Sequence, residues 1–119
     1  MTPAVVLATV IAGSLGAVIR LIILDGLRHH ASRWILVLVV NVIGSALAGG
    51  ALAFPGTALT AVIVVGLAGG LTTFSTVALL LVRSPDGPRV PALLGQALAQ
   101  SGAAVTAAWG AFQIVQLVT

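Results

Sequence analysis

Long apolar runs alternate with short polar segments along the chain. Four runs are long enough to cross a membrane as helices, and they cover about residues 2–24, 34–54, 58–82 and 91–118. The hydrocarbon core of a bilayer requires roughly 20 consecutive apolar residues of helix. The pattern therefore predicts an all-α membrane protein with four transmembrane helices in a single domain, residues 1–119.

The third run is interrupted near its middle. Three glycines and then four hydroxyl side chains occur close together there: Gly66, Gly69, Gly70, Thr72, Thr73, Ser75 and Thr76. Glycine weakens a helix by roughly 1 kcal/mol relative to alanine, and a broken helix is tolerated at membrane depth only where protein or a cavity surrounds it. We predict that the third helix is broken here, with carbonyls free to bind a cation and N–H groups free to face an anion.

The composition supports a membrane protein and argues against catalysis. Hydrophobic residues make up 60% of the 119 residues and charged residues only 6%, which is more apolar surface than a soluble domain of this size can bury. Cysteine and glutamate are absent, and Asp25 and Asp86 lie outside the predicted spans. Because an acid–base pair and a Ser-His-Asp triad lack parts, we predict that the chain is not an enzyme. No basic face rich in aromatic residues indicates a nucleic-acid partner.

Two polar residues within the spans each have two interpretations. Arg20, near the end of the first run, is either a cation that extends to the membrane interface or a structural or pore-mouth cation. Asn41, one third of the way into the second run, needs a partner because an unpaired amide in hydrocarbon costs several kcal/mol. It either joins two helices or lines a pore as a donor.

The last run carries several polar residues, Gln96, Gln100, Ser101 and Thr106. Gln96 and Gln100 are four positions apart, so they share one helix face. The series indicates either a polar track or a buried interface between helices.

Small residues recur four positions apart in several runs. Such pairs allow the backbones of neighbouring helices to approach closely. Examples are Ala12/Gly16, Gly13/Ala17, Gly44/Ala48 and Gly66/Gly70. They predict tight packing between helices, although the motif alone is common.

The arginines are distributed unevenly. All five lie in or next to the first and third loops, whereas the second loop and the C-terminal end carry none. The positive-inside rule places the first and third loops in the cytoplasm and both termini outside. A bias of this size predicts one fixed orientation.

Three motifs resemble one known family. The run GGLTTFST at residues 69–76 resembles the signature of the Fluc/CrcB fluoride channel family. The run GAVIR at residues 16–20 is similar to that family's first-helix GAxxR, and NVIG at residues 41–44 is similar to its second-helix Asn-x-x-Gly. Order, spacing and the four-span length agree, so the resemblance covers the whole chain.

The resemblance implies a fluoride-specific channel that exports fluoride passively across the bacterial cytoplasmic (inner) membrane and so lowers cytoplasmic fluoride. It implies an antiparallel, dual-topology dimer with two narrow pathways along the interface. It also implies a structural sodium ion at the dimer centre, not transported and bound by the backbone carbonyls of Gly69 and Thr72.

The resemblance also assigns residues to the fluoride pathway and to the structure. Pathway positions of the family correspond to Asn41, Thr73, Phe74, Ser75 and, in the last helix, Ser101, with Thr72 in the same row of hydroxyls. Hydroxyl and amide donors can replace the water around fluoride, and electropositive ring edges can face it. Structural positions correspond to Arg20 and Gly70.

One position departs from the family motif, which usually ends in phenylalanine. Val77 stands there, so the second ring that would contact fluoride is missing, and the chain has no tyrosine. With the arginine bias, this indicates one half of a heterodimer whose oppositely oriented paralogue supplies the ring, although a homodimer is also compatible.

Two rival functions fit the same architecture. Small multidrug-type transporters also have four helices, but they resemble a pattern with a carboxylate in the first span, which is absent here. The other rival is a non-conducting structural or partner subunit, in which the small-residue pairs serve packing only.

Overall fold

The computed structural model describes residues 1–83 and 90–119. Residues 84–89, most of the predicted third loop and the site of Asp86, lie outside the described residues. In the described part, all regular secondary structure is helical, and four helical segments are long and apolar enough to cross a membrane: Pro3–Gly26, Arg33–Leu52, Ala58–Leu79 and Leu94–Val118, the last of which belongs to the helix Val90–Val118. The predicted all-helical architecture with four membrane-length helices is confirmed.

Side-chain caps explain where the first three helices begin. Thr2 precedes Pro3, and its hydroxyl accepts a hydrogen bond from the Val5 N–H. The Ser32 hydroxyl accepts from the Ile35 N–H at 3.4 Å before Arg33–Leu52. The Thr57 hydroxyl accepts from the Thr60 N–H at 3.0 Å before Ala58. Each cap satisfies an N–H group that a helix start leaves without a partner.

The first helix extends two residues beyond its predicted end and includes Asp25. That carboxylate lies in the exposed last turn, 3.3 Å from the Arg28 guanidinium. The acidic residue therefore belongs to the first helix, which the sequence did not indicate, but it lies at the end rather than inside the apolar run.

The third membrane span is made of two helical pieces. The leading piece, residues 58–71, is α-helical over Ala58–Ala61, π-helical over Val62–Ala68 and α-helical again over Gly69–Leu71. The trailing piece is the α-helix Ser75–Val82. Between them, Thr72, Thr73 and Phe74 form a non-helical linker. The π-helical turns widen the leading piece and were not predicted.

Glycines bring the first helix against the leading piece. A Cβ atom built at Gly16 would overlap the Leu67 carbonyl oxygen, and one at Gly70 would overlap the Gly13 carbonyl oxygen. One at Gly66 would lie 2.6 Å from the Thr9 carbonyl oxygen. Side chains at these positions would separate the helices, so the predicted small-residue packing forms within the subunit.

The second helix packs mainly on the last helix. Gly49 allows the contact, because a Cβ atom there would overlap the Ala108 carbonyl oxygen. A small cluster of buried side chains completes the interior and includes Leu24, Leu36, Val37 and Val77. Most large apolar side chains of the first helix face outward, as expected of a protein whose surrounding solvent is lipid.

Candidate functional site

The linker begins where the leading piece loses its helical hydrogen bonds. The Thr72 N–H still donates to the Ala68 carbonyl at 2.9 Å, and the Thr72 hydroxyl donates to the same oxygen at 3.0 Å. Thr72 then adopts an extended conformation, with φ −77° and ψ 153°. The carbonyls of the preceding turn consequently lack the helical donors that would follow them.

Asn41 of the second helix pairs with the linker backbone. Its Oδ1 accepts from the Thr73 N–H at 2.8 Å, and its Nδ2 donates to the Thr73 carbonyl at 3.1 Å. The Thr73 N–H is thereby directed away from the Gly69 carbonyl four residues earlier. Asn41 is 8% exposed, so these two bonds replace the water that both partners lose.

Arg20 of the first helix contacts the first residue of the same linker. Its Nη1 donates to the Thr72 carbonyl at 3.0 Å across 52 residues of sequence. The residue is half-buried, and a hydrogen bond from a guanidinium is stronger than a neutral one. Of the two interpretations, this contact supports a structural cation within the protein.

The hydroxyl cluster organises the start of the trailing piece. The Thr73 Oγ1 accepts from the Thr76 N–H at 3.2 Å, which satisfies one N–H of the first turn in the manner of a helix cap. The Ser75 hydroxyl lies 3.2 Å from the same Oγ1, and the Thr73 hydroxyl also contacts Thr76 Oγ1. Three of the four predicted hydroxyls, those of Thr73, Ser75 and Thr76, therefore belong to one local network.

A cavity of about 250 Å³ lies beside the linker. Helices two and four, the linker and the trailing piece supply its nine lining residues: Asn41, Ser45, Thr72, Thr73, Phe74, Val77, Gln100, Ser101 and Ala104. It brings together four of the predicted pathway residues, Asn41, Thr73, Phe74 and Ser101. Ser75 is not among the lining residues. The Phe74 ring is 70% exposed and so lies at the outer side of the site.

Gln100 is the main site residue that the sequence did not assign. It is 5% exposed, and its Oε1 accepts from Asn41 Nδ2 at 3.3 Å. The spacing of Gln96 and Gln100 predicted a shared face, but Gln96 is exposed. Its neighbour Ser101, the residue that was assigned, is exposed and lines the cavity at its outer part. The hydrogen bond to Asn41 marks Gln100 as a site residue. No local pattern in the sequence indicates this contact.

Val77, the departure from the motif, is 2% exposed. It packs in the core cluster with Leu24, Leu36 and Val37 and also lines the cavity. This valine, which is smaller than the phenylalanine of the motif, therefore lies inside the subunit, in the first turn of the trailing piece.

The carbonyls of Gly69 and Thr72 have the donor chemistry that a sodium ion requires. Hard cations take oxygen ligands, and unwound carbonyls of broken membrane helices coordinate Na⁺ in other folds. Gly69 is exposed, and a Cβ atom there would meet only the Val64 carbonyl oxygen, at 3.7 Å. Thr72 shares its carbonyl with Arg20, which leaves one lone pair. Two carbonyls alone do not complete the coordination sphere of a cation.

The fold and the site together define a multi-pass membrane protein with a neutral polar cavity at the linker of its third span. The family described as "CrcB-like protein, Camphor Resistance (CrcB)" matches residues 7–112. The chain therefore belongs to the CrcB family, the Fluc/CrcB fluoride channel family that the motifs indicate, and this is a family of channels rather than enzymes. No curated protein matches the chain.

Proposed function

We propose that the chain is a subunit of a fluoride-specific channel that lets fluoride leave the cell passively. The observation that carries the proposal is the cavity at the linker, lined by amides, hydroxyls and one exposed ring in a member of the CrcB family. Its nine lining residues are all neutral. A path without fixed charge binds an anion weakly enough to release it, which conduction requires.

Fluoride suits this lining chemically. The ion is small and strongly hydrated, so a pathway must replace its water with short, strong donors. The Ser101 hydroxyl and the amide of Gln100 supply such donors. The edge of the Phe74 ring is electropositive and lies at the outer side of the site.

A dimer completes the pathway in this proposal. The Phe74 ring and Gly69 are exposed on the single subunit, and the carbonyls of Gly69 and Thr72, the second of which also accepts from Arg20, would supply only part of a cation site. An antiparallel second subunit would add the other half around a structural sodium ion. The arginine bias and the valine in place of the motif's last phenylalanine at position 77 favour an oppositely oriented paralogue over a second copy.

Reconstitution in liposomes tests the channel function. We expect the chain, together with its paralogue, to release trapped fluoride, measured with a fluoride electrode, and to retain chloride. Robust fluoride release by the chain alone would favour the homodimer. Failure to release fluoride in either form, together with failure to rescue a fluoride-sensitive bacterial strain, would overturn the channel function.

The multidrug-type alternative receives no support from the described residues. Asp25 is the acidic residue of the first helix, and it lies in the exposed last turn beside Arg28. A transport assay with a lipophilic cation checks this, and uptake driven by a proton gradient would favour the alternative.

A further inference from the structure

The amide of Asn41 has no N–H left for an anion. An asparagine amide has two N–H bonds. One points to the Thr73 carbonyl at 3.1 Å and the other to Gln100 Oε1 at 3.3 Å. Asn41 therefore acts within the subunit, and another residue must supply the amide donor of the cavity.

The linker backbone determines which way both amides point. The orientation of a side-chain amide follows from its hydrogen-bond partners. The Thr73 N–H can only donate, so it requires the oxygen of Asn41, at 2.8 Å. The Asn41 side-chain nitrogen then faces Gln100, so Gln100 accepts with its side-chain oxygen. The direction of one backbone N–H is thus transmitted through two side chains, across 32 and then 59 residues of sequence.

This chain of bonds leaves the Gln100 nitrogen without an acceptor. Within the described part of the chain, Gln100 Nε2 is buried and has no hydrogen-bond partner. Gln100 is 95% buried and lines the cavity together with Asn41, Thr73 and Ser101. A buried amide donor without a partner is destabilising, and such groups require an explanation. An acceptor that enters from the cavity would satisfy this nitrogen.

We propose that Gln100 is the residue whose side-chain N–H groups bind the anion, and that Asn41 is a positioning residue that turns the Gln100 amide nitrogen toward the cavity. Fluoride as the anion rests on the proposed channel function. Gln100 supplies two adjacent N–H bonds of fixed direction. Its orientation is fixed through Asn41 by the Thr73 N–H, which can only donate.

Side-chain amide resonances of the ¹⁵N-labelled full chain in micelles test the site directly. A Gln100→Leu variant identifies the Gln100 signals. We expect saturable shifts of these signals with sodium fluoride and none with sodium chloride. Absence of a fluoride-dependent shift at Gln100 overturns the proposal, and so does a shift confined to the Asn41 amide.

The positioning role has its own readout. In Asn41→Asp, the carboxylate can only accept, so the Gln100 nitrogen turns toward it and the oxygen turns toward the cavity. We expect the Gln100 amide signals of this variant to lose their response to fluoride. An unchanged response would remove Asn41 from the positioning role.

Flux measurements separate this site from the channel function. Gln100→Glu retains the oxygen that pairs with Asn41 but removes the donor, and we expect fluoride release to fall about tenfold or more. The matched control is Gln96→Glu, one turn earlier and exposed, with flux within about twofold of the original chain. Full flux in Gln100→Glu would overturn the site and leave the channel intact. Fluoride-dependent Gln100 signals without any flux would overturn the channel and leave the site intact.

Discussion

The leading piece and the linker are held in place in different ways. The leading piece contacts the first helix backbone to backbone, because Gly16 and Gly70 carry no side chains at the contact. At the linker itself, the contacts are hydrogen bonds from Arg20 and Asn41 to backbone groups. The glycine contact is a close approach of two backbones, whereas the linker contacts are directional hydrogen bonds.

The two kinds of contact have different consequences: one fixes the position of the leading piece, and the other leaves polar groups free for a ligand. Close glycine contacts fix where the leading piece lies but present no group to a ligand. The linker contacts satisfy only part of the freed backbone and leave oriented donors and carbonyls beside a cavity. Four substitutions, ordered from the largest expected effect to the smallest, test whether the two regions have these different roles.

Asn41→Asp is expected to have the largest effect, and on function. The carboxylate faces the Thr73 carbonyl, reverses Gln100 and adds negative charge to the cavity, so fluoride flux falls about 10- to 100-fold. Fluoride release from liposomes measures the effect. Gln96→Glu, the same chemical change at an exposed position, is the control, and equal flux in both variants would contradict the role of Asn41.

Gly16→Ala tests the glycine contact. The added Cβ would overlap the Leu67 carbonyl oxygen and lie 2.9 Å from the Leu71 nitrogen, so we expect a loss of about 2–3 kcal/mol in stability. Denaturant unfolding in micelles, followed by circular dichroism, measures it. Gly102→Ala is the control, because a Cβ there meets no atom within 4 Å. Equal stability of the two variants would show that the contact is looser than described.

Arg20→Gln tests the charge-assisted bond to the linker. Loss of the guanidinium contact with the Thr72 carbonyl should cost about 1.5–2 kcal/mol. The same unfolding experiment measures it, with Arg28→Gln as the control, since the exposed Arg28–Asp25 pair is worth at most about 1 kcal/mol. A smaller effect at Arg20 than at Arg28 would place Arg20 at the membrane interface instead.

Thr73→Val is expected to have the smallest effect. The variant retains the backbone bonds to Asn41 and loses only the hydroxyl that accepts from the Thr76 N–H, which should cost about 1 kcal/mol. Hydrogen exchange of the Thr76 amide measures the local change, and Thr106→Val, exposed on the last helix, is the control. Unchanged protection at Thr76 would contradict the capping role.

Local patterns in the sequence predicted the class of the fold and the family. Four apolar runs were sufficient for the all-helical membrane class, because the length of a span and its lack of charge are local properties. The motif at residues 69–76 was sufficient for the family, and it also indicated where the polar site lies. The sodium ion, the dimer and the pathway roles remain predictions.

Only the tertiary structure decided how the polar groups are used. Asn41 pairs with a backbone 32 residues away, and Gln100 with Asn41 59 residues away. Neither separation gives a periodic pattern in the sequence, because the packing of whole helices determines which amides meet. The same packing buries Val77 and exposes Phe74, although both belong to one motif. The sequence by itself determined the elements and the family; the contacts between distant helices determined which donors remain free.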